Sequence, residues 1–179
     1  MIRKLLTAFF ILTLPALARA DSQWVLQQST LTYHVSHPLH EVEGVSHAAK
    51  GRGVCHAGQC NFLVAVPVKS FDSRNSERDL HMLQITRAGE FPMVIVRFKL
   101  PEPELASPTI RADLQVEFAG QTAEYKQVPF QRTANGSAIK IAGTIPLKLS
   151  DFKIPRPELL AMPIKNEVPV RVDATWGPP

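Results

Sequence analysis

Asp72-Ser-Arg-Asn-Ser-Glu-Arg-Asp-Leu-His-Met-Leu83 is a polar stretch with the composition of a short helix. It stands between two strand-like runs, Cys60–Phe71 and Phe91–Phe98, in a chain that otherwise has the pattern of β-strands. The pattern therefore predicts one short helix, over about residues 75–87, within an all-β protein.

The ends of this predicted helix carry residues suited to capping. Ser73 or Asn75 can accept hydrogen bonds from the first free backbone N–H groups, and Glu77 favours the positive end of the helix dipole. Gly89 suits the position that follows a helix. We interpret the helix as a cover over one end of a β structure, with its charged side chains solvated or paired.

Strict alternation of apolar and polar residues predicts the strands. In the run Ile110–Phe118 every second residue is apolar, and the residues between them are charged or polar. One apolar and one polar face per strand is typical of an antiparallel sheet that is wet on one side. With little helix to cover the dry face, about eight strands must close into a barrel or pack as two sheets. The same alternation recurs at 31–37, 62–68, 94–100, 139–149 and 168–176.

Glycines and prolines mark places where the strands are irregular. Asn135-Gly136 predicts a hairpin, and Gly44, Gly51 and Gly53 predict sharp bends in the second strand. Prolines inside strand runs each remove a ladder hydrogen bond and predict bulges or an imperfectly closed seam. These prolines are Pro67, Pro129, Pro146 and Pro169.

The segment 150–166 has no regular pattern, and we expect it to close one end of the barrel. Pro157 suits the first position of a helix, which predicts a short helical turn from Pro157 to Ala161.

Residues 1–20 have the features of a secretory signal peptide. Arg3 and Lys4 precede the apolar run Leu5–Leu14, and Ala18-Arg19-Ala20 is a cleavage signal. The alternative is an uncleaved anchor, but the apolar run is about half as long as a membrane span. We expect a cleaved leader, a domain at 21–179 that does not span the membrane, and a periplasmic location.

Charge gives no reason to expect a nucleic-acid partner. The net charge of +4 includes three basic residues of the leader, and their removal leaves 17 basic against 16 acidic side chains. A nearly neutral domain lacks the basic surface that nucleic-acid binding requires.

Two cysteines, Cys55 and Cys60, flank Gly58. An even and closely spaced pair in an exported chain predicts a disulfide that staples a hairpin. A redox or metal-binding pair is the alternative, although the spacing matches neither C-x-x-C nor the haem-attachment motif.

Five of the six histidines are concentrated in a short part of the chain, which raises the alternative of a metal site. No carboxylate constellation accompanies them, and we predict no metal. His37 is on the apolar face of its strand, where it either bonds a buried ligand end or is a satisfied core histidine. No nucleophile or phosphate-binding motif is present, so we predict no enzymatic activity. The five histidines are His34, His37, His40, His47 and His56.

Several motifs together resemble the YceI-like family of periplasmic lipid-binding proteins. The most specific part of the likeness is Asn75…Arg78-Asp79…His81-Met82. Two features depart from the family pattern: Ala119–Glu124 replaces a Gly-Val-Thr-Lys-Pro-like turn, and the cysteine pair is not general. The other matching segments are Trp24, Ser29–His37, Val42–Val45, Val66–Phe71, Phe91-Pro92 and Ser150–Phe152.

The resemblance implies a lipocalin-like antiparallel barrel whose apolar tunnel holds an isoprenoid, such as a polyprenol or a quinone, or a similar amphiphile. No other cofactor is required. Arg78 and His81 are candidate head-group contacts, although solvated charges on a covering helix are the plainer interpretation. The candidate lipid contacts are Tyr33, Val35, His37, Phe62, Val64, Val66, Phe71, Phe91, Val94, Val96, Phe98, Val116, Phe118, Phe130, Ile141 and Ile145.

A barrel of this size can also fill itself with side chains and hold nothing. The alternative function is then an interaction module for a membrane redox partner, which would use loops such as Pro101–Pro108 or the cysteine hairpin. Under either function, transient membrane contact and a homodimer are further expectations.

Overall fold

The structure is a computed structural model that describes residues 21–159 and 161–179; the predicted signal peptide lies outside these residues. In the described part of the chain there is one α-helix, α1 (Ser76–Ile85), with three short 3-10 turns at Val68–Ser70, Glu102–Ala106 and Leu149–Phe152. The strands are β1 Ser22–His37, β2 His40–Ser46, β3 Lys50–His56, β4 Gln59–Pro67, β5 Met93–Pro101, β6 Thr109–Phe118, β7 Gln121–Asn135, β8 Ala138–Lys148, β9 Glu158–Leu159, β10 Met162–Pro163 and β11 Glu167–Gly177.

Eight strands close into an antiparallel barrel, which is one of the two architectures that the alternation allows and the one that the family resemblance implies. Strands β3 to β8 pair in sequence, β8 pairs with β11, and β1 joins β11 to β3. The remaining long strand, β2, continues in line with β3 along the far part of β1. Closure gives each of the eight barrel strands a neighbour on both sides, whereas β2 pairs only with β1, and it encloses the apolar faces.

The chain gives the barrel two different ends. The helix end carries α1, the β6–β7 turn and the segment 149–166. The disulfide end carries the β3–β4 hairpin, the β7–β8 hairpin at Asn135-Gly136 and the 3-10 turn Glu102–Ala106.

Helix α1 begins where the capping residues indicate but ends earlier than predicted. The Asn75 side chain accepts a hydrogen bond from the Arg78 N–H at 3.0 Å. At the other end Thr86 is the C-cap, and Arg87, not Gly89, takes the left-handed conformation that follows a helix. The helix therefore spans 76–85 instead of about 75–87.

Glycines lie where a large ring from the neighbouring strand covers the backbone. Gly44 is opposite Tyr33 and Gly53 is opposite Phe62, and in each case a Cβ atom on the glycine would overlap the ring. The single second strand that the sequence predicts is in fact two strands, since β2 ends at Ser46 and β3 begins at Lys50.

The strand prolines cause less irregularity than predicted. Pro146 and Pro169 face each other in the β8–β11 ladder, which runs on in unbroken register at both sides. Pro146 lies outside the part of β8 that pairs with β7, and Pro169 lies outside the part of β11 that pairs with β1. The β7–β8 and β1–β11 ladders therefore lose no hydrogen bond to these two prolines. The seam is closed. A bulge does occur near Pro129, where Gln127 has positive φ and the β6–β7 register shifts.

The disulfide joins Cys55 and Cys60, which are register partners in the β3–β4 hairpin. The turn between them is formed by Ala57 and Gly58, both with positive φ, as a two-residue hairpin loop requires. Both cysteines are buried among the side chains that close this end of the barrel. A disulfide is typical of an exported protein.

The segment after β8 is irregular, as predicted, but the helical turn expected from Pro157 is absent in its described residues. Instead β9 and β10 form a hairpin of two residues per strand. The segment is tied to the barrel by the Tyr125 hydroxyl, which donates to Asp151 Oδ2 at 2.7 Å, and by Asn166, whose amide bonds both the N–H and the hydroxyl of Ser150.

Tyr125 should make the protein sensitive to alkaline pH. Burial, and then the hydrogen bond to Asp151, raise the pKa of Tyr125 well above its ordinary value. In the unfolded chain this phenol ionises near pH 10, so its stabilising effect is complete below pH 10 and is lost as the pH rises further. We expect the free energy of unfolding to fall above pH 10, by up to about 1.4 kcal/mol per pH unit for this group. Urea unfolding at pH 9, 10 and 11 measures it, and an equal slope in Tyr125→Phe would contradict the assignment.

Candidate functional site

A cavity of about 490 Å³ runs along the barrel axis between the inward faces of the strands. Its wall is almost entirely apolar. Of the sixteen side chains predicted from the sequence to contact a lipid, fifteen line this cavity. They are Tyr33, Val35, His37, Phe62, Val64, Val66, Phe71, Val94, Val96, Phe98, Val116, Phe118, Phe130, Ile141 and Ile145.

Phe91 is the exception. It precedes β5 and lies in the connection from α1, where the period-two rule no longer determines the direction of a side chain. The Arg87 guanidinium carbon lies 4.7 Å from the centre of its ring, and the ring packs on Gly120. Phe91 thus fixes the connection to the β6–β7 turn and does not line the cavity.

The middle of the cavity is lined by rows of branched side chains that lie side by side. Val64, Val96 and Val116 are register partners on three consecutive strands, β4, β5 and β6. Because alternate residues of a strand face the interior, this row of valines gives the cavity an apolar wall along β4, β5 and β6. Such a wall favours a long hydrocarbon ligand.

Stacked aromatic rings close the cavity at the disulfide end. Phe62 is stacked on Phe98 with 4.9 Å between ring centres, and Trp176 meets Phe62 edge to face at 5.3 Å. The Cys55–Cys60 disulfide packs in the same cluster. This end of the barrel is therefore filled with side chains.

The polar side chains that line the cavity, with one exception, lie at the helix end. Ser29 is the exception, deeper in the barrel. The helix end is thus the mouth of the cavity, and α1 contributes part of its rim. The polar lining residues at this mouth are Tyr33, His37, His40, Arg78, His81, Thr86 and Glu158.

His37 is a buried residue of the mouth whose two ring nitrogens both have partners. Its Nδ1 accepts a hydrogen bond from the Leu39 N–H at 3.2 Å, and its Nε2 lies 3.0 Å from the Met162 carbonyl oxygen. A carbonyl only accepts, so Nε2 carries the proton and the ring is in its neutral form. His37 therefore holds the β1–β2 turn against β10, and its edge also lines the cavity.

Arg78 is held in place at the rim by the loop that precedes α1. Its Nε donates to the Ser73 hydroxyl at 2.9 Å and its Nη2 donates to the Ser73 carbonyl at 3.1 Å. Asp79 fixes the same loop by accepting from the Ser73 N–H. These bonds occupy Nε and Nη2, so among the described residues the Nη1 group has no hydrogen-bond partner, and Arg78 also lines the cavity.

The Tyr33 hydroxyl belongs to the same polar cluster. Burial, followed by the negative charge of Asp79, raises the pKa of Tyr33 above its ordinary value. The phenol is therefore neutral at physiological pH and is able to donate a hydrogen bond. The mouth thus combines a fixed cation, neutral donors and imidazoles around an apolar channel.

The histidines do not form a metal site in the described part of the chain. No group of three or more potential ligands is close enough together there to hold an ion. His34 bonds Glu41 at 2.8 Å, His56 bonds Asp21 at 2.7 Å, and His47 contacts Thr30 and the Ser29 carbonyl on β1.

Sequence reasoning missed other residues of the cavity wall. Leu26, Ser29 and Leu31 precede Tyr33 on the inward face of β1, and Met82 faces the cavity from α1. Counting back from Tyr33 in steps of two residues gives Leu31 and then Ser29, which both line the cavity. It fails at Leu26, because a bulge between Leu26 and Gln28 shifts the register of β1.

Comparison with known proteins agrees with this geometry. A polyisoprenoid-binding domain from Saccharophagus degradans, implicated in plant cell wall breakdown, shares the fold with a TM-score of 0.70 and 14% identity over 87% of this chain and 98% of that one. BcnA of Burkholderia cenocepacia matches with a TM-score of 0.69 and 15% identity over 82% of this chain and 95% of that one. No curated protein matches the chain in sequence.

In the described residues, no helix has the length and apolar character needed to cross a membrane. The YceI-like domain model matches residues 24–176, a range that contains the barrel strands except for the first residues of β1 and the last residue of β11. It also contains every described residue that lines the cavity. The eight-stranded barrel, the covering helix and this match together show that the chain belongs to the YceI-like family.

Proposed function

We propose that the protein is a periplasmic carrier that binds an isoprenoid, such as a polyprenol or a quinone, or a similar amphiphile in its barrel. The observation that supports this most is the apolar cavity, which runs from a polar mouth to an end closed by aromatic rings. Each isoprene unit buries on the order of 100 Å² of apolar surface, which stabilises the complex by roughly 2–3 kcal/mol. A few units therefore offset the cost of immobilising the chain.

The polar end of the ligand belongs at the mouth in this proposal. Arg78 offers its Nη1 group to a phosphate, carboxylate or carbonyl oxygen, and the Ser73 bonds hold the guanidinium in a fixed orientation. His81 is exposed on α1 beside the same opening. These contacts orient the ligand with its hydrocarbon chain in the barrel.

Intact mass spectrometry of the exported protein tests the carrier function. The full chain, with its leader, is expressed in a bacterial host, and protein from the periplasmic fraction is measured under native conditions and again after organic extraction. We expect a polypeptide that begins at Asp21 and an added hydrophobic mass that extraction releases. A protein of bare polypeptide mass that takes up neither added ubiquinone nor added polyprenol would refute the carrier function.

The same measurement tests the head-group contacts. His81→Ala removes an exposed side chain, so the fold should be unaffected, and we expect the occupied fraction to fall severalfold. Equal occupancy in His81→Ala and wild-type protein would remove His81 from the site.

A further inference from the structure

Ser29 is a buried polar residue in the wall of the apolar cavity. It is 5% exposed, and its hydroxyl has no hydrogen-bond partner among the described residues. Only two other buried side-chain atoms in the described residues share this property, Nε1 of Trp24 and Nε of Arg132. Neither of those residues lines the cavity, whereas Ser29 does.

The fold directs Ser29 inward at a place where the wall is made of small side chains. The bulge between Leu26 and Gln28 puts Ser29 on the same face of β1 as Leu31. Ala174 lies opposite Ser29 on β11, and Ala49 lines the cavity from the gap between β2 and β3. In its present rotamer the oxygen is covered by its neighbours, and a single χ1 rotation between staggered positions changes its direction.

A buried hydroxyl without a partner destabilises a protein, and alanine at this position would avoid that cost. Native proteins rarely keep such a group unless something bonds it. The nearby His47 does not supply the missing bond, because its ring nitrogen contacts the Ser29 carbonyl oxygen and not the Ser29 hydroxyl. The presence of this hydroxyl therefore indicates a hydrogen-bond partner that enters the cavity from outside the protein.

We propose that Ser29 is a hydrogen-bonding site for an oxygen at the inner end of the bound ligand, a hydroxyl or a carbonyl. This rests on the carrier function proposed above and adds a chemical requirement to it. Ser29 is eight residues from His37 at the mouth, about 26 Å along the strand. With the usual tilt of barrel strands, the depth is roughly 20 Å. The preferred ligand is thus a long apolar chain with one polar group at the mouth and an oxygen near its other end. It differs in this from a polyprenol or a quinone, whose hydrocarbon tail ends without an oxygen and which should therefore bind more weakly.

Two fatty acids of equal length provide a matched pair of probes. Hexadecanoate has a carboxylate for the mouth and a hydrocarbon end, and 16-hydroxyhexadecanoate adds a hydroxyl at that end, about 20 Å from the carboxylate. Delipidated wild-type protein and Ser29→Ala are titrated with each acid, below its micellar concentration, by displacement of a fluorescent fatty acid. Thermal unfolding of both proteins is the control for the fold.

We expect wild-type protein to bind the hydroxylated acid about fivefold to tenfold more tightly than hexadecanoate. Ser29→Ala should lose this preference and bind the hydroxylated acid no more tightly than hexadecanoate, because the terminal hydroxyl of the ligand then has no partner. It should bind hexadecanoate about as tightly as wild-type protein does and should unfold at the same temperature or higher. Equal affinities in wild-type protein would overturn the role of Ser29 but leave the carrier function intact. A lower unfolding temperature in Ser29→Ala would show a structural hydroxyl and also overturn the role. If neither acid, nor ubiquinone or polyprenol, binds wild-type protein, the carrier function itself fails.

Discussion

Val64→Trp is expected to lower the affinity for a long apolar ligand by more than about a hundredfold, equivalent to about 3 kcal/mol. Val64 lines the middle of the cavity, beside its register partner Val96 on β5. An indole ring at this position occupies the space through which a hydrocarbon chain must pass. The cavity accommodates the ring, so the barrel should remain folded. Titration with ubiquinone or a polyprenol measures the loss.

Leu63→Trp is the matched control for this blockage. Leu63 is the preceding residue of β4, faces outward and is 43% exposed. The same increase in side-chain volume then lies outside the barrel, and affinity should stay within about twofold of wild type. If Val64→Trp folds and still binds the ligand as tightly as Leu63→Trp does, the cavity is not the binding site.

Gly53→Ala is expected to have the largest effect on stability, a loss of about 2–3 kcal/mol. A Cβ atom at this position would overlap the Phe62 ring. That ring is held between Phe98 and Trp176, so it has no free space into which to move. For a domain of this size the melting temperature should fall by roughly 5–10 °C, which thermal unfolding followed by circular dichroism measures.

Gly89→Ala separates this overlap from the general effect of replacing a glycine. Gly89 follows α1, is exposed and has no atom within 4 Å of the added carbon. Its replacement should change stability by no more than about 0.5 kcal/mol. Equal melting temperatures for Gly53→Ala and Gly89→Ala would mean that Phe62 is free to move.

Features with a local cause could be predicted from the sequence. The alternation in β6 gives its inward and outward faces because successive side chains of a strand point to opposite sides. The Asn75 cap and the Cys55–Cys60 hairpin involve residues at most five positions apart, so the chain brings them together without help from the rest of the fold. The family resemblance, carried by motifs of the same local kind, extended this to a barrel.

Other features depend on packing between distant parts of the chain. Arg78, His37 and Tyr33 meet at one mouth only because α1 covers the end of the barrel where β1 finishes. Phe91 does not line the cavity because its ring packs against Arg87 and Gly120, outside the strand. The end of α1 at Ile85 likewise could not be predicted, because Arg87 takes the left-handed conformation that a sequence argument assigns to a glycine such as Gly89.

Whether the barrel holds a cavity or is filled by its own side chains is the question that alternation leaves open. Alternation shows which residues face inward, but the space left between them depends on barrel closure and on the total volume of the inward side chains. The tertiary structure alone shows that aromatic rings and the disulfide fill one end, while valines line an open middle. For the same reason, only the closed barrel shows that Ser29 is buried and that no described residue bonds its hydroxyl.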